Sequence, residues 1–387
     1  MARRAIGVPM SVLRVLDSLA EVPSAAWDSL STGGNPFISH AFLGGLERHG
    51  CLRARLGWRP HHLTLWEGDN LVAAAPAYRK SNSHGEFVFD HAWADAYERA
   101  GGAYYPKLLA GVPYSPVPGP RLLVDPRRPD ARATLAAALR DTADDAGWSG
   151  AHVNFVEEED AQVLREAGWL EREDIQFHWE NRGYPDFESF LAQLNSKRRK
   201  EIRRERAKVR AEGWCFAQYD GNRIGAADLA DVHRLYLDTF DSKGNTAALT
   251  LAFLAALAAA LGPRFIAVIG TRADGARCMA LFLASDDVLY GRYWGSDALS
   301  PGLHFDACYY QGIELAIGRG LARFEPGAQG EHKVARGFLP VRTRSFHWLR
   351  DPALRSAVSG AVARERAWVA RYEQAVLAHS PYAERAA

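Results

Sequence analysis

Apolar and polar residues along this chain fall in short blocks whose period changes repeatedly, and each change marks an element. Strand-like runs at 61–66 (HHLTLW) and 71–78 (LVAAAPAY) flank the turn EGDN and predict a hairpin. Helical spacing predicts helices at 131–147, 160–168, 226–240, 249–261 and 303–319. A longer helix is expected over 186–212, with Asp186 as N-cap and Gly213 as its stop. Further strands are expected at 151–156, 169–181, 214–219, 265–270, 277–284, 288–294, 322–325 and 345–349, and the tail 351–377 reads as helix. Strands and helices in alternation, with hairpins among them, predict an α/β (α+β) fold whose mixed central sheet is covered by helices.

The order of elements contains a duplication. Gly168-Trp169-Leu170 precedes Phe177-His178-Trp179, and Gly337-Phe338-Leu339 precedes Phe346-His347-Trp348. The glycine-to-phenylalanine spacing is nine in both, and the two copies lie 169 residues apart. The helix at 131–147 and strand at 151–156 recur as 303–319 and 322–326, and the hairpin at 61–78 recurs at 265–284. Two tandem domains of like fold follow: 1–183, 184–350, and a helical tail over 351–387.

Length and composition agree. At 387 residues the chain suits two domains with real cores, and 48% hydrophobic with 24% charged residues is a globular balance. Lys plus Arg (47) nearly equals Asp plus Glu (46), so anion binding must come from local clusters rather than from net charge. The four cysteines are far apart, which argues against a zinc site or a disulfide framework and fits a reducing compartment. The N-terminus lacks an apolar run of signal-peptide length, and the 15-residue run 247–261 is shorter than the ~20 residues a membrane span needs. A cytoplasmic protein with no membrane span is expected. Histidines at metal-ligand spacing, a phosphate loop, a GxSxG elbow and a GxGxxG turn are all missing from the sequence. Neither a metal nor a permanently bound cofactor is expected, and no DNA partner.

Four stretches carry candidate chemistry. The loop 324–340 (FEPGAQGEHKVARGFLP) sets Glu325, Gln329, Glu331, His332, Lys333 and Arg336 among glycines and prolines after a strand, where functional residues concentrate. The segment 197–210 holds nine Lys or Arg and two acids. Its Arg198 and Arg206 fall on the apolar stripe, where a guanidinium needs a carboxylate or phosphate partner, and Arg199 and Arg203 are further candidates for phosphate. The region 90–107 joins Asp90, Trp93, Asp95, Tyr97, Tyr105 and Lys107, a set suited to an amine-bearing acceptor through cation–π and ion-pair contacts. Arg292 and Tyr293 lie on one strand, and His304 follows at a helix start.

These residues also carry a resemblance. The strand VLYGRYWG, the helix LHFDACYYQGIELAIGRGL, the strand ARFEPG and the stretch GEHKVARGFLPV resemble the GNAT acyltransferase superfamily. The segments SKRRKEIRRERAKV, FDHAWADAYERAG and FEPGAQGEHK resemble more closely its FemAB-like peptidoglycan biosynthesis/recognition branch. The resemblance implies two tandem GNAT-like domains and transfer of an acyl or aminoacyl group to an amine of a small-molecule or peptide acceptor, such as a peptidoglycan-type precursor. It implies acyl-CoA or aminoacyl-tRNA as co-substrate, the latter presenting a tRNA acceptor end. The usual Q/R-x-x-G-x-G/A pyrophosphate loop is absent near GSDALSPGLHFD, as is a long helical-hairpin insertion. On this reading Glu331 and His332 are candidate bases with Glu325 behind them, and Lys333 or Arg292 stabilises the oxyanion or holds donor phosphate. The alternative is a non-catalytic binder of cell-wall or nucleotide-linked precursors.

Overall fold

The computed structural model describes residues 11–328 and 330–383. Residues 1–10, on which the signal-peptide reading partly rests, Gln329 and residues 384–387 lie outside that description. In chain order the elements are β1 (Val12–Leu16), α1 (Ser24–Asp28), α2 (His40–Arg48), β2 (Trp58–Pro60), β3 (His62–Glu67), β4 (Asn70–Ala75), β5 (Ala77–Lys80), α3 (His91–Arg99), β6 (Lys107–Ala110) and β7 (Leu123–Val124). Then come α4 (Ala131–Asp145), β8 (Gly150–Val153), α5 (Glu158–Glu166), β9 (Leu170–Glu180), α6 (Phe187–Ala192), α7 (Ser196–Ala211), β10 (Cys215–Asp220), α8 (Ala226–Asp241) and α9 (Leu251–Leu261). The chain ends with β11 (Phe265–Thr271), β12 (Arg277–Ala284), β13 (Val288–Ser296), α10 (Leu303–Phe305), α11 (Gln311–Gly318), β14 (Arg323–Glu325), β15 (Leu339–Leu349) and α12 (Pro352–Leu377).

Eleven strands form one mixed sheet in the order β10-β11-β12-β13-β14-β9-β15-β8-β6-β5-β2, and β1-β3-β4-β7 form a second. The two copies exchange strands at the centre. β9, from the first copy, lies between β14 and β15; β15, from the second, lies between β9 and β8. Outside them stand two parallel pairs in equivalent places, β13 with β14 and β6 with β8. In the antiparallel β9–β15 register, Asp174 pairs with Thr343. These two positions are 169 apart, so each is the repeat equivalent of the other, and the axis relating the copies passes between them. Arg342 and Glu173, also 169 apart, are ion-paired at 3.2 Å beside it. The sheet is therefore continuous across the expected boundary at 183/184, with β9 and β15 as neighbours at its centre.

Side-chain alternation sends the two faces of β12 and β13 into different cores, and β9 and β14 add to one of them. Phe177, Trp179, Phe282 and Phe324 pack under α11 with Ile313 and Phe338. Leu281, Leu283 and Tyr290 pack with Phe37, Trp27 and Phe253 from the other face. Each such ring or leucine, fully buried, stabilises by about 1.5–3 kcal/mol, so the sheet is held between apolar layers contributed by both copies.

Three expectations need correction. The helix expected over 186–212 is two: Asp186 caps α6 as expected, but the Asn195 side chain accepts the Arg198 N–H and starts a second helix. The helix expected over 303–319 is interrupted by a π-helical segment at Asp306–Tyr310, a distortion frequent at functional sites. The last strand begins at Leu339 rather than 345 because β9 pairs with it from Leu339 to His347.

Candidate functional site

β13 and β14 run parallel only from Val288–Tyr290 and Arg323–Glu325, then part. β13 continues to Ser296 along β12, while the other strand turns away at Pro326. At the parting point Leu281 pairs with Tyr293 and Phe282 with Gly291, so Arg292 is the extra residue of a β-bulge. Gly291 is needed there, since a Cβ would stand 3.1 Å from the Pro326 Cα. Lys333, on a 3-10 helix over Glu331–Arg336, reaches back and donates to the Gly327 carbonyl at 2.6 Å. The equivalent parting in the first copy, beyond β6 and β8, is closed. Gly119 bridges to Val156, and the buried Arg121 guanidinium donates to the carbonyls of Asn154, Pro120 and Val117.

Between the two partings, against the repeat axis, lies a cavity of about 320 Å³. Its walls are Phe87, Phe89, Phe155, Phe177, Trp368 and Tyr372, with Asp174, Ile175, Gln176 and Thr343 from the strand pair and Ala328, Gly330 and Glu331 from the loop. A cavity of this size with aromatic walls and few polar groups is the form of a small-molecule site. Phe87 and Phe155 hold positive φ angles of 60° and 57°, a strained conformation for bulky residues that clusters at functional positions. Trp368 stacks on Tyr372 at 5.0 Å, and the Tyr372 hydroxyl donates to Glu331 at 2.6 Å. Asp174 is open to the cavity but enclosed by protein behind, and this burial pushes its carboxyl up. Most of these residues have no local sequence signal. The 169-residue offset was the clue to the axis, but the pattern does not show which strands pair across it.

Glu331 and His332, adjacent in sequence, face different surroundings. Glu331 borders the cavity, whereas His332 Nε2 lies 2.9 Å from the Tyr309 hydroxyl among Phe305, His304 and Tyr309. Burial, and then the charges of Lys333 and Arg336, push His332 down, so its imidazole is neutral near pH 7. His304 is pushed down to about 4 by burial and by His332. Lys333 is 2% exposed, and burial lowers it to about 8 with only a small offset from Cys308. Arg336 stands 3.5 Å over Phe305 and binds Glu205 and the His332 carbonyl.

Glu325 is the last residue of β14, and burial raises it to about 7 against the pull of Arg323. Its environment has a donor logic. The Gln176 amide donates to the Pro116 carbonyl, so its oxygen faces His178 Nε2 and must accept a proton from it. That leaves His178 Nδ1 as a bare acceptor, 3.9 Å from Glu325. The 3.9 Å gap is too long for a hydrogen bond, and the nearer oxygen, Glu325 Oε1, accepts from Arg323 at 2.9 Å.

The remaining predicted positions are dispersed. Asp90 and Lys107 are occupied by each other in a buried network: Lys107 Nζ reaches Asp90 at 2.5 Å and Glu86 at 2.8 Å, and Tyr105 meets Ser83 at 2.8 Å. Trp93 is buried against His347, Tyr97 reaches Asp351, and Asp95 is exposed. These groups do not line the cavity; their neighbours Phe87 and Phe89 do. The basic helix packs on the loop through Glu205 and Arg336, but its candidate cations do not reach the cavity. Arg198 pairs with Glu201, Arg203 with Glu188, and Arg199 donates to the Ala192 and Leu194 carbonyls. Arg206 is buried, paired with Glu314 and beside Asp306, as an inward guanidinium requires. Arg198 is only half-buried because the helix restarts at Asn195. Arg292 donates to Tyr114 and Ser115, and Tyr293 packs on Tyr236. A larger cavity of about 550 Å³, lined by Arg132, Glu157, Asp287 and Arg323, lies at the other end of β14.

A family model described as FemAB-like, peptidoglycan biosynthesis/recognition, matches residues 18–384. Among solved structures, L-PGS from Bacillus licheniformis is 12% identical with a TM-score of 0.54, covering 89% of this chain and 96% of that one. FemX is 10% identical with a TM-score of 0.51, covering 81% and 93%. A tandem GNAT protein from the clavulanic acid biosynthesis pathway is 12% identical with a TM-score of 0.42, covering 89% and 99%. No curated protein matches. The architecture, a large mixed sheet covered by helices and followed by a C-terminal helix, is the α/β arrangement the sequence predicts, and L-PGS and FemX share the fold. Among the described residues no helix is long and apolar enough to cross a membrane.

Proposed function

The chain belongs to the FemAB-like family, and from that premise we propose that it is an N-acyltransferase acting at the loop after β14. An acyl or aminoacyl group passes from acyl-CoA or aminoacyl-tRNA to an amine acceptor of small-molecule or peptide type. The observation that carries this reading is the open parting of β13 and β14, flanked by the bulge at Arg292 and by a buried lysine, beside a cavity of about 320 Å³. Residues 184–350 supply the donor and catalytic side, and residues 1–183 supply the acceptor wall through Phe87, Phe89 and Phe155.

The ammonium of the acceptor must lose a proton before its nitrogen can attack. Glu331 at the cavity and the neutral His332 behind it are the bases in reach of the loop. The amine nitrogen bonds to the carbonyl carbon, and collapse of the tetrahedral oxyanion breaks the C–S or C–O bond to the donor. The ammonium gives up two protons in all: the base passes the first to solvent, and the second, lost from the nitrogen of the tetrahedral intermediate, goes to the leaving thiolate or ribose oxygen. Lys333, charged at neutral pH, stabilises the oxyanion; Arg292 is committed to Tyr114 and Ser115 and is the weaker candidate.

The test is incubation with acyl-CoA and, separately, with charged tRNA, against a pool of amines read by mass spectrometry. One donor should be consumed with a matching mass gain on an amine. The E331A/H332A double variant, changed at two exposed positions, should abolish that gain with folding intact. Unchanged turnover in the double variant would refute the assignment. Ligand binding with neither donor consumed would favour the alternative, a binding protein for cell-wall or nucleotide-linked precursors.

A further inference from the structure

We infer that the cavity on the repeat axis is a cation site: it takes the alkylammonium end of an acceptor and admits no phosphate there. This rests on the transferase reading for the ligand's role, but the site chemistry stands on its own. Asp174 and Glu331 are the only ionisable acids or bases of its lining other than Tyr372, and both are carboxylates. Lysine and arginine are missing from the described lining.

The arginines around the rim are already neutralised. Arg172 is held bidentately by Glu365 and by the Phe89 carbonyl. Arg342 is paired with Glu373 and Glu173, Arg344 with Glu158 and Glu171, and Arg366 with Glu171 and Glu173. A phosphate entering this space would meet two carboxylates and no free guanidinium. An ammonium would meet the same carboxylates together with six aromatic rings whose faces attract cations.

The two carboxylates are also differently set. Asp174 accepts from the Ile175 N–H, and Glu331 from the Tyr372 hydroxyl, leaving each with capacity for a further donor. Asp174 has the neutral Thr343 as its repeat equivalent, so the axis itself bears one charge. An aliphatic arm ending in a primary ammonium fits: the arm lies along the rings and the head reaches the acids.

The test is calorimetric titration of the full chain at pH 7.5 with cadaverine, with 1-pentanol as its neutral counterpart and inorganic pyrophosphate as the anion. Cadaverine should bind, and D174N and E331Q should each weaken it about tenfold or more, the worth of one charged hydrogen bond. W368L should weaken it without moving the unfolding midpoint, because Trp368 is 54% exposed. Equal affinity for 1-pentanol, affinity unchanged in both D174N and E331Q, or displacement of cadaverine by pyrophosphate would overturn the inference. Cadaverine bound as described without acyl transfer to any amine would leave this site standing and remove the transferase reading. Acyl transfer to other amines with cadaverine neither bound nor consumed would do the reverse.

Discussion

Lys333→Met isolates the cost of a buried charge. Lys333 stands where the first copy has Leu164, 169 residues earlier, and the two are 2% and 0% exposed. Its amine titrates at about 8 in the folded protein against 10.5 ordinarily. Above pH 10.5 both folded and unfolded chains are neutral there and nothing is lost. Between 10.5 and 8 the unfolded chain binds a proton that the folded chain does not, and stability falls by about 1.4 kcal/mol per pH unit. Below 8 the loss is complete, at about 3 kcal/mol. Methionine removes that loss but leaves the Gly327 carbonyl without its donor, which costs about 1 kcal/mol. The variant should therefore be more stable than the wild type by about 2 kcal/mol at pH 7, and about equal to it at pH 9.5. Urea unfolding followed by tryptophan fluorescence at both pH values measures this, with the slope m unchanged. The same variant should lose transfer, with kcat lower by about a hundredfold or more. A variant less stable than the wild type at pH 7, or a difference that does not change with pH, would show that Lys333 is structurally compensated and refute the reasoning.

Lys107→Met should behave oppositely, destabilising by about 3–5 kcal/mol because it strands Asp90 and Glu86 without a cation; lost transfer with an unchanged urea midpoint would instead make Lys107 a substrate-binding residue. Glu325→Gln tests the proton on Glu325. Its folded value of about 7 lies above the ordinary 4.5, so the wild type should hold full stability below 4.5 and lose it as pH rises through 7. The glutamine variant, whose amide does not titrate, should lack that decline in thermal midpoints taken from pH 5 to 8.5. Residues 1–183 expressed alone should not fold, since β8 and β9 would lack the strand that joins them; a cooperative melt of that fragment would show that the copies are independent.

Much of the fold was legible because strand and helix periods are local properties. The duplication, read from GWL…FHW and GFL…FHW, anticipated an axis that the structure places between Asp174 and Thr343. Strand exchange was not legible, because the alternation in β9 and β15 fixes which side chains share a face and says nothing of which neighbour pairs with them. The break at Asn195 was hidden by continuous helical spacing, since a cap is one side-chain bond within a favourable pattern. At the site, the carboxylates and lysine expected between 90 and 107 pair among themselves rather than line the cavity. Asp90 and Lys107, seventeen residues apart, satisfy one another, while Phe89 next door turns outward and is 54% exposed.

A site on an axis between equivalent copies is built from pairs of like residues, and acyl transfer needs its two sides unlike, because one must hold an electrophile and the other a nucleophile. A dimer of identical chains could not make them so. A duplicated chain can, and under the proposed transfer the differences between the copies supply that asymmetry. Asp174 faces Thr343 on the axis; a buried Lys333 replaces Leu164; Ala328 and Gly330 border the cavity where the first copy presents Phe155. The second parting is open while the first is plugged by Arg121 and the segment before it. These differences change charge or access around the second copy's loop, and one of them, Lys333 for Leu164, puts a charge where the first copy has core. Divergence for packing would be spread through the core; divergence gathered at the axis is what a single asymmetric site requires.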